Sequence, residues 1–422
     1  MSRKGILYIL TILISLSAFA YMPEDNDRKA EKARVRQIKK ELDTAKGRLK
    51  SRKDLDKSET SLRNILKDSA SMNDIRVHSM LYDVVKLSYL AGNEKLFLKE
   101  KYDTAQLFSI AHRMFLVANK LDSVDAIPNK KGVVRMSYRR PHAQFLQQYV
   151  NNLYSGVVYF VNKRKWEDAA SLAGTYLSLP DWPLFSDTKL PFDSLKHAHS
   201  SYLALLSNYR LKKYDKAKEY EEVALKYTPR YELCLICLAS MAEQQKDTTA
   251  YLNYLTKGLE SFPKSRYFAT HLLEYYSSKQ LIDSVLNVTD KVLDADSLNA
   301  ISLMARQTIA LSRGQYDECI KQGMKMLSYR DSIFNGRDSV LIADVNYNIG
   351  VAYYNQAVEL SEATTKLKSR NKKAKEIYKL CMPYMETYRK LRPEAIEKWK
   401  PILYNVYLNL NLGKQFTEIE NL

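Results

Sequence analysis

Apolar residues recur at helical spacing along most of the chain, and from Ser201 onward the pattern itself repeats. Tyr214, Ala217 and Ala224 mark the buried side of one helix, which closes at Pro229. The next closing position in register is Pro263, followed by Ser297 and Asp331, so that four successive units share one length of 34 residues. Gly314-Gln315-Tyr316 stands in the last unit where Lys212-Lys213-Tyr214 stands in the first. A turn at the same offset in each unit predicts two antiparallel helices per unit, and the fold class expected is all-α.

These residues carry a resemblance to the tetratricopeptide repeat (TPR) family. Its second-helix half is matched by Tyr214, Ala217, Ala224 and Pro229, and in the next unit by Gly258 and Pro263. Its first-helix half is matched by Ile349-Gly350 with Tyr353 three residues on. The chain departs from the family pattern in having no Trp at the first position of these units. Val285 and Cys319 stand where Ala is usual, and Ser297 and Asp331 where Pro is usual. The contact between helices needs a small or apolar residue and the closing position needs a turn former, so each departure is mild. The resemblance implies an α-solenoid of antiparallel helix hairpins, a TPR-like right-handed superhelix with a concave groove.

Outside the regular core the periodicity is looser. Leu153, Gly156, Trp166, Ala169 and Ala173 keep the spacing of one more unit, and Val77 to Leu90 and Asp103 to Leu121 read as divergent hairpins. Between Asp125 and Pro141 the chain breaks helix at Pro128 and Gly132 and carries Lys130, Lys131, Arg135, Arg139 and Arg140 with no acid. Asn346 to Arg389 reads as a lengthened hairpin, capped by Trp399 to Ile419. The organisation expected is a leader over 1–20, a basic amphipathic helical segment over 21–70 and divergent hairpins over 71–183. A loop over 184–197, four regular units over 198–331 and an extended hairpin with capping helices over 332–422 complete it.

By the resemblance, the groove is lined by outward positions of each first helix: Tyr202, Tyr209 and Arg210, then Glu243 and Gln244, then Tyr267 and Glu274, then Thr308, and last Tyr347, Tyr354 and Asn355. Tyrosine recurs among them and suits peptide recognition through broad, rigid contact area. The same 31 tyrosines also fit a simpler use as packing between helices, and both readings stand at this level.

Charge adds a second surface. Lys+Arg total 66 against 48 Asp+Glu, a net charge of +18 that favours anionic partners. Half of that excess falls between Arg28 and Lys67, where Ile38, Leu42, Ala45 and Leu49 form an apolar stripe. Three uses compete for this segment: an anionic lipid surface, a partner helix, or the first helix of the array, and the Ala-rich stripe without Trp or Phe favours the last. A second basic run comprises Lys366, Lys368, Arg370, Lys372, Lys373 and Lys375.

The amino terminus reads as an address. Arg3 and Lys4 precede an uncharged run from Gly5 to Leu16, and Ala18-Phe19-Ala20 offers a cleavage site, so export to a periplasm or cell envelope is expected. The run is short for a membrane span, which makes an uncleaved anchor the lesser alternative, and no Cys follows it to take a lipid. An exported chain does not meet nucleic acid, despite its charge.

Chemistry finds little foothold. No two glycines lie closer than Gly314 and Gly323, so neither a dinucleotide fingerprint nor a phosphate-cradling loop can be built. His78, His112, His142, His197, His199 and His271 form no metal-ligand pair on one helix face. Cys234-x-x-Cys237 lies inside an apolar helical run, which suits buried small hydrophobes better than redox or zinc chemistry. The function expected is a non-enzymatic scaffold that needs no cofactor or metal and binds a protein or peptide partner in the groove. The alternative is an adaptor that holds anionic lipid or polysaccharide through the two basic segments.

Overall fold

The computed structural model describes residues 25–129, 131–134, 136–191, 193–334, 339–362 and 367–421. The expected leader over 1–20 lies outside them. Every regular element among the described residues is helical, and the chain divides into two compact units, Met1–Pro229 and Arg230–Leu422.

The first unit is a row of antiparallel hairpins. It holds α1 (Asp25–Ser51), α2 (Leu55–Ile65), α3 (Ile75–Phe97), α4 (Thr104–Asp125), α5 (Arg139–Gln147), α6 (Val150–Asn162), α7 (Trp166–Ser178), α8 (Ser194–Arg210), α9 (Tyr214–Lys218) and α10 (Glu221–Ala224). Its core is built on α3 and α4, where Val77, Leu81, Tyr89, Ile110, Met114 and Phe115 are closed from solvent. Ile38 and Ala45 of α1 are buried in that same core, and α1 packs on α2 and α3. The basic segment over 21–70 is therefore two helices rather than one. They part where Arg52 and Asp54 take positive φ, and the apolar stripe of α1 is spent on the array.

The loop expected over 184–197 is shorter in the structure. Leu184 and Phe185 belong to a buried 3₁₀ turn, and α8 begins at Ser194 because the Asp193 carboxylate accepts the amide hydrogens of Leu195 and Lys196. The second helix of the first regular unit is also interrupted, between α9 and α10. There the half-buried Tyr220 brings its hydroxyl beside Gly174 of α7.

The second unit continues with α11 (Tyr231–Gln244), α12 (Thr248–Ser261), α13 (Arg266–Ser278), α14 (Ile282–Ala295), α15 (Ala300–Ser312), α16 (Tyr316–Ser328), α17 (Arg330–Phe334), α18 (Ser339–Glu362), α19 (Leu367–Leu391), α20 (Ile396–Leu410) and α21 (Gly413–Glu420). Each helix of α11 to α16 packs on the next. The second helices of the regular units begin at Tyr214, Thr248, Ile282 and Tyr316, 34 residues apart each time.

One turn geometry produces this regularity. Lys212, Lys246, Gln280 and Gly314 all take left-handed backbone, with φ of 58°, 59°, 57° and 69°. The next residue in each case donates its amide hydrogen back across the end of the preceding helix: Lys213 to Asn208 O at 2.9 Å, Asp247 to Ala242 O at 2.9 Å, Leu281 to Tyr276 O at 2.9 Å and Gln315 to Ala310 O at 2.8 Å. These are the bonds that close the Schellman ending, and glycine usually supplies its left-handed residue. Here three of the four turns force a long side chain into it.

Beyond the turn, one small or apolar side chain per unit sits at the helix crossing. Ala224, Val292 and Met326 are buried there, and Gly258 stands at the equivalent position. A Cβ on Gly258 would come within 2.3 Å of the Phe268 ring, which is wholly buried. In the lengthened hairpin, a Cβ on Gly350 of α18 would lie 2.4 Å from Met385 Sδ of α19.

Buried histidines are a feature of the first unit. His112, 9% exposed, has its Nε2 2.8 Å from Thr175 Oγ1, joining α4 to α7. Burial pushes its pKa down to about 4. His142 lies against the Tyr82 ring at 3.9 Å, and burial, aided by the Lys86 ammonium, pushes it down to about 4 as well.

Two outcomes follow for stability. Lys246→Gly relieves the left-handed strain and should raise the unfolding free energy by about 1 kcal/mol, while Gly258→Val should lower it by about 1–3 kcal/mol through overpacking. Denaturant melts of the two variants check both signs. The depressed histidines bind fewer protons folded than unfolded, so their contribution is intact above pH 6.5 and is lost as pH falls from there toward 4. For His112 this is about 2 kcal/mol between pH 7 and 5, and His112→Gln should flatten the pH dependence of the denaturation midpoint by that amount.

Candidate partner-binding surface

The residues expected to line the groove fall in both units, three on α8 and the rest on α11, α13, α15 and α18. Arg210, Glu243, Gln244, Glu274 and Thr308 are exposed. Tyr209, Tyr267, Tyr347, Tyr354 and Asn355 are half-buried. Tyr202 departs from expectation: it is 6% exposed, with its ring stacked on Tyr227 at 6.0 Å and on His199 at 6.5 Å. It is core, because its helix, α8, packs against neighbours along most of its circumference and leaves it no open side.

The other tyrosines share their faces with neighbouring rings. Tyr209 meets Tyr214 at 6.4 Å, and the Arg210 guanidinium lies 5.9 Å from the Trp166 ring. Tyr267 lies 4.1 Å from His271. Tyr347 meets Tyr388 at 4.8 Å, and Tyr354 meets Tyr378 at 6.1 Å while its hydroxyl accepts from Asn405 Nδ2 at 3.2 Å. Packing between helices thus uses much of the aromatic area that the sequence offered for recognition.

Two groove residues come together with a third that sequence reasoning missed. Tyr251 of α12 is pushed up to about 12, chiefly by burial and then by the carboxylates of Glu243 and Glu274. Carboxylates on α11 and α13 thereby both act through their charge on one buried phenol. The signal was present in the sequence, since Tyr251 is a large residue at the repeat position filled by Ala217, Val285 and Cys319. Thr308 joins a polar seam instead: Asn348 Nδ2 lies 3.5 Å from its hydroxyl and donates to Gln307 Oε1 at 3.3 Å, and Gln307 donates in turn to Val345 O. This seam ties α15 to α18.

The basic candidates divide as well. Lys366 lies outside the described residues, Lys368 and Arg370 fall on α19, and Lys372, Lys373 and Lys375 are exposed on the same helix. On α1, Arg28, Lys29, Lys32, Arg36, Lys39, Lys40, Lys46 and Lys50 are exposed. The first ion pairs along the described chain begin beyond them, at Arg52 with Glu94 and Lys57 with Asp54. Arg139 of the basic linker is used structurally, donating twice at 2.8 Å to the buried Asp122 carboxylate.

Repeated 34-residue hairpins, a shared left-handed turn and a small residue at the helix crossing together define the architecture. The chain is an array of α-helical hairpins that repeats every 34 residues through its regular part. No family model matches this chain, and no curated protein matches it. Among solved structures it is similar to a TPR repeats protein from Bacteroides fragilis, at 18% identity over 61% of this chain and 98% of that one, with a TM-score of 0.26. It is similar also to the TPR domain of P58(IPK), at 11% identity over 87% and 98% of the two chains, with a TM-score of 0.24. Yeast Tom70 gives 12% identity over 93% and 95%, with a TM-score of 0.24.

Among the described residues no cluster of His, Cys, Asp or Glu is arranged to hold a metal ion. All four cysteines are buried. Burial pushes Cys319 and Cys381 up to about 12, the opposite of what a reactive thiolate needs. No described helix is long and apolar enough to cross a membrane.

Proposed function

We propose that this TPR-like chain is an exported scaffold that holds a segment of a partner protein against the exposed polar positions of its second unit. The observation that carries this reading is the exposure of Glu243 and Glu274 on the first helices of adjacent hairpins, both near enough for their charge to raise the pKa of Tyr251 on the helix between them. Repeat hairpins of this kind are rigid platforms whose outward positions are free to vary, which is what a docking surface requires. Two exposed carboxylates on adjacent hairpins favour a segment that presents Lys or Arg. Export rests on Arg3, Lys4, the apolar run to Leu16 and Ala18-Phe19-Ala20.

Glu243→Lys/Glu274→Lys changes charge at two exposed positions and should leave the circular dichroism spectrum unchanged. Cross-linking in intact cells followed by mass spectrometry should capture one defined protein with the native chain and at least tenfold less of it with the variant. Equal capture by both overturns the docking face, and an intracellular chain that begins at Met1 overturns export.

A second reading is favoured by one observation, the exposed basic side of α1. That face would hold an anionic lipid or polysaccharide surface through charge alone, since the apolar stripe of α1 is buried. Retention on anionic vesicles should then fall steeply once salt exceeds about 0.1 M, where the screening length drops below roughly 10 Å. Retention unchanged by salt overturns it.

A further inference from the structure

Four hairpin turns of the first unit share one ending. Arg52, Lys99, Arg164 and Lys212 take left-handed backbone, with φ of 53°, 60°, 56° and 58°. The residue after each donates its amide hydrogen back over the closing helix: Lys53 to Arg48 O, Glu100 to Lys95 O, Lys165 to Phe160 O and Lys213 to Asn208 O. The position favours glycine, and here it holds a cation every time. The turn itself does not require one, since Gln280 and Gly314 fill the same position in the second unit. The helix dipole is already complemented in three of the four by Arg48, Lys95 and Arg210, in the last turns of α1, α3 and α8. A second exposed cation stands within two residues of each, at Lys53, Lys101, Lys165 and Lys213.

These turns lie on one edge. Arg52 pairs with Glu94 at 3.3 Å, which sets the first turn beside the end of α3. Phe108, near the start of α4, meets Phe160, near the end of α6, with ring centroids 6.5 Å apart. The Arg210 guanidinium lies 5.9 Å from the Trp166 ring, which sets the end of α8 beside the start of α7. Acids beside the first two turns are engaged: Glu94 by Arg52, Asp54 by Lys57 at 2.9 Å and Asp103 by the Ala105 amide hydrogen. Glu100 is flanked by Lys99 and Lys101, and Glu167 and Asp168 follow the three successive cations Lys163, Arg164 and Lys165. Connections at the other edge mix signs, with Asp68, Asp181 and Asp187 among Lys67, Lys131 and Lys189.

The turn edge also carries Phe97 and Leu98, which close α3 immediately before Lys99. Phe97 is 86% exposed and Leu98 59%, and among the described residues no large apolar side chain is more exposed than Phe97. An apolar pair held out among cations matches the boundary of an anionic bilayer, where apolar side chains enter the acyl region while Lys and Arg meet the headgroups.

We infer that the turn edge of the first unit seats on an anionic lipid bilayer, with Phe97 and Leu98 entering it and the turn cations on lipid phosphates. An acidic polymer would use the cations and leave Phe97 and Leu98 in water. This surface differs from the basic side of α1, which offers charge alone, and from the docking face, which lies in the other unit.

The test uses the chain from Tyr21, which keeps every described residue without the apolar run of the leader, in flotation with vesicles of phosphatidylcholine alone or mixed equally with phosphatidylglycerol. Binding is expected on the mixed vesicles only. Phe97→Ser/Leu98→Ser should weaken it at least tenfold. The same loss is expected of Arg164→Gln/Lys165→Gln/Lys212→Gln/Lys213→Gln, in which Gln takes the left-handed place it already holds at Gln280. All six positions are exposed, so both variants should keep the native melting temperature, which separates loss of binding from loss of fold. No binding to the mixed vesicles, or binding unchanged in either variant, overturns the inference. Loss in Lys32→Gln/Lys39→Gln/Lys40→Gln with both edge variants unaffected assigns the membrane contact to α1 and overturns the edge. Capture on alginate without vesicle binding, equal for the native chain and the Phe97 variant, identifies an acidic polymer and overturns the bilayer. None of these outcomes depends on Glu243 or Glu274.

Discussion

The close crossing of two helices within each hairpin is the contact on which everything else rests. It demands that the chain reverse in two residues and that one side chain at the crossing stay small or well packed. The left-handed residue at Lys212, Lys246, Gln280 or Gly314 meets the first demand. Ala224, Gly258, Val292 and Met326 meet the second with four different volumes. Partners compensate for those differences: Phe268 fills the space over Gly258, and the Met326 side chain occupies the equivalent space itself within a cluster that includes Leu303 and Ile349. A hairpin so built cannot cover its own apolar face, and its neighbours complete the burial.

Polar groups inside the array follow from the same constraint. Where helices approach closely, a buried charge needs a partner from the adjacent element, since leaving it alone costs far more than the pair returns. Asp122 receives Arg139 across the linker, and Glu59 of α2 receives Arg113 of α4. The Asp122 pair pins the linker where it leaves α4, and the Glu59 pair ties the middle of α2 to the middle of α4. In the second unit Gln307 and Asn348 play the neutral counterpart of this role, joining α15 to α18 without burying charge. The cations of α1 are spared such duty, because that helix already anchors itself through Ile38 and Ala45.

Much of this was legible in the chain. A 34-residue spacing of closing positions announced the hairpins, since helix length and turn length are set locally by periodicity and by residues that tolerate a turn. Aspartates before α3, α4, α8 and α12 act as caps in the structure, as their place ahead of apolar runs suggests. The stripe of α1 likewise predicted its buried side. Boundaries were harder: the start of α8 depended on one capping carboxylate at Asp193, and the break between α9 and α10 on the packing of Tyr220 beside Gly174.

The surface was less legible, for a physical reason. Helical spacing tells which residues share a side, but a helix in an array has neighbours on several sides, and only their positions decide which side is left open. Tyr202 shared a side with Tyr209 and Arg210 in the sequence, yet the stacking of Tyr227 and His199 buries it while Arg210 stays exposed. Glu243 and Glu274 are 31 residues apart and both act on Tyr251 only because α12 packs on both of their helices. The sequence by itself determined the helices, their turns and the repeat, all of which are settled by short-range spacing and backbone preference. Tertiary structure alone decided which aromatic rings became core, which carboxylates act on one phenol, and which turns share an edge, because each depends on contacts between residues the chain holds far apart.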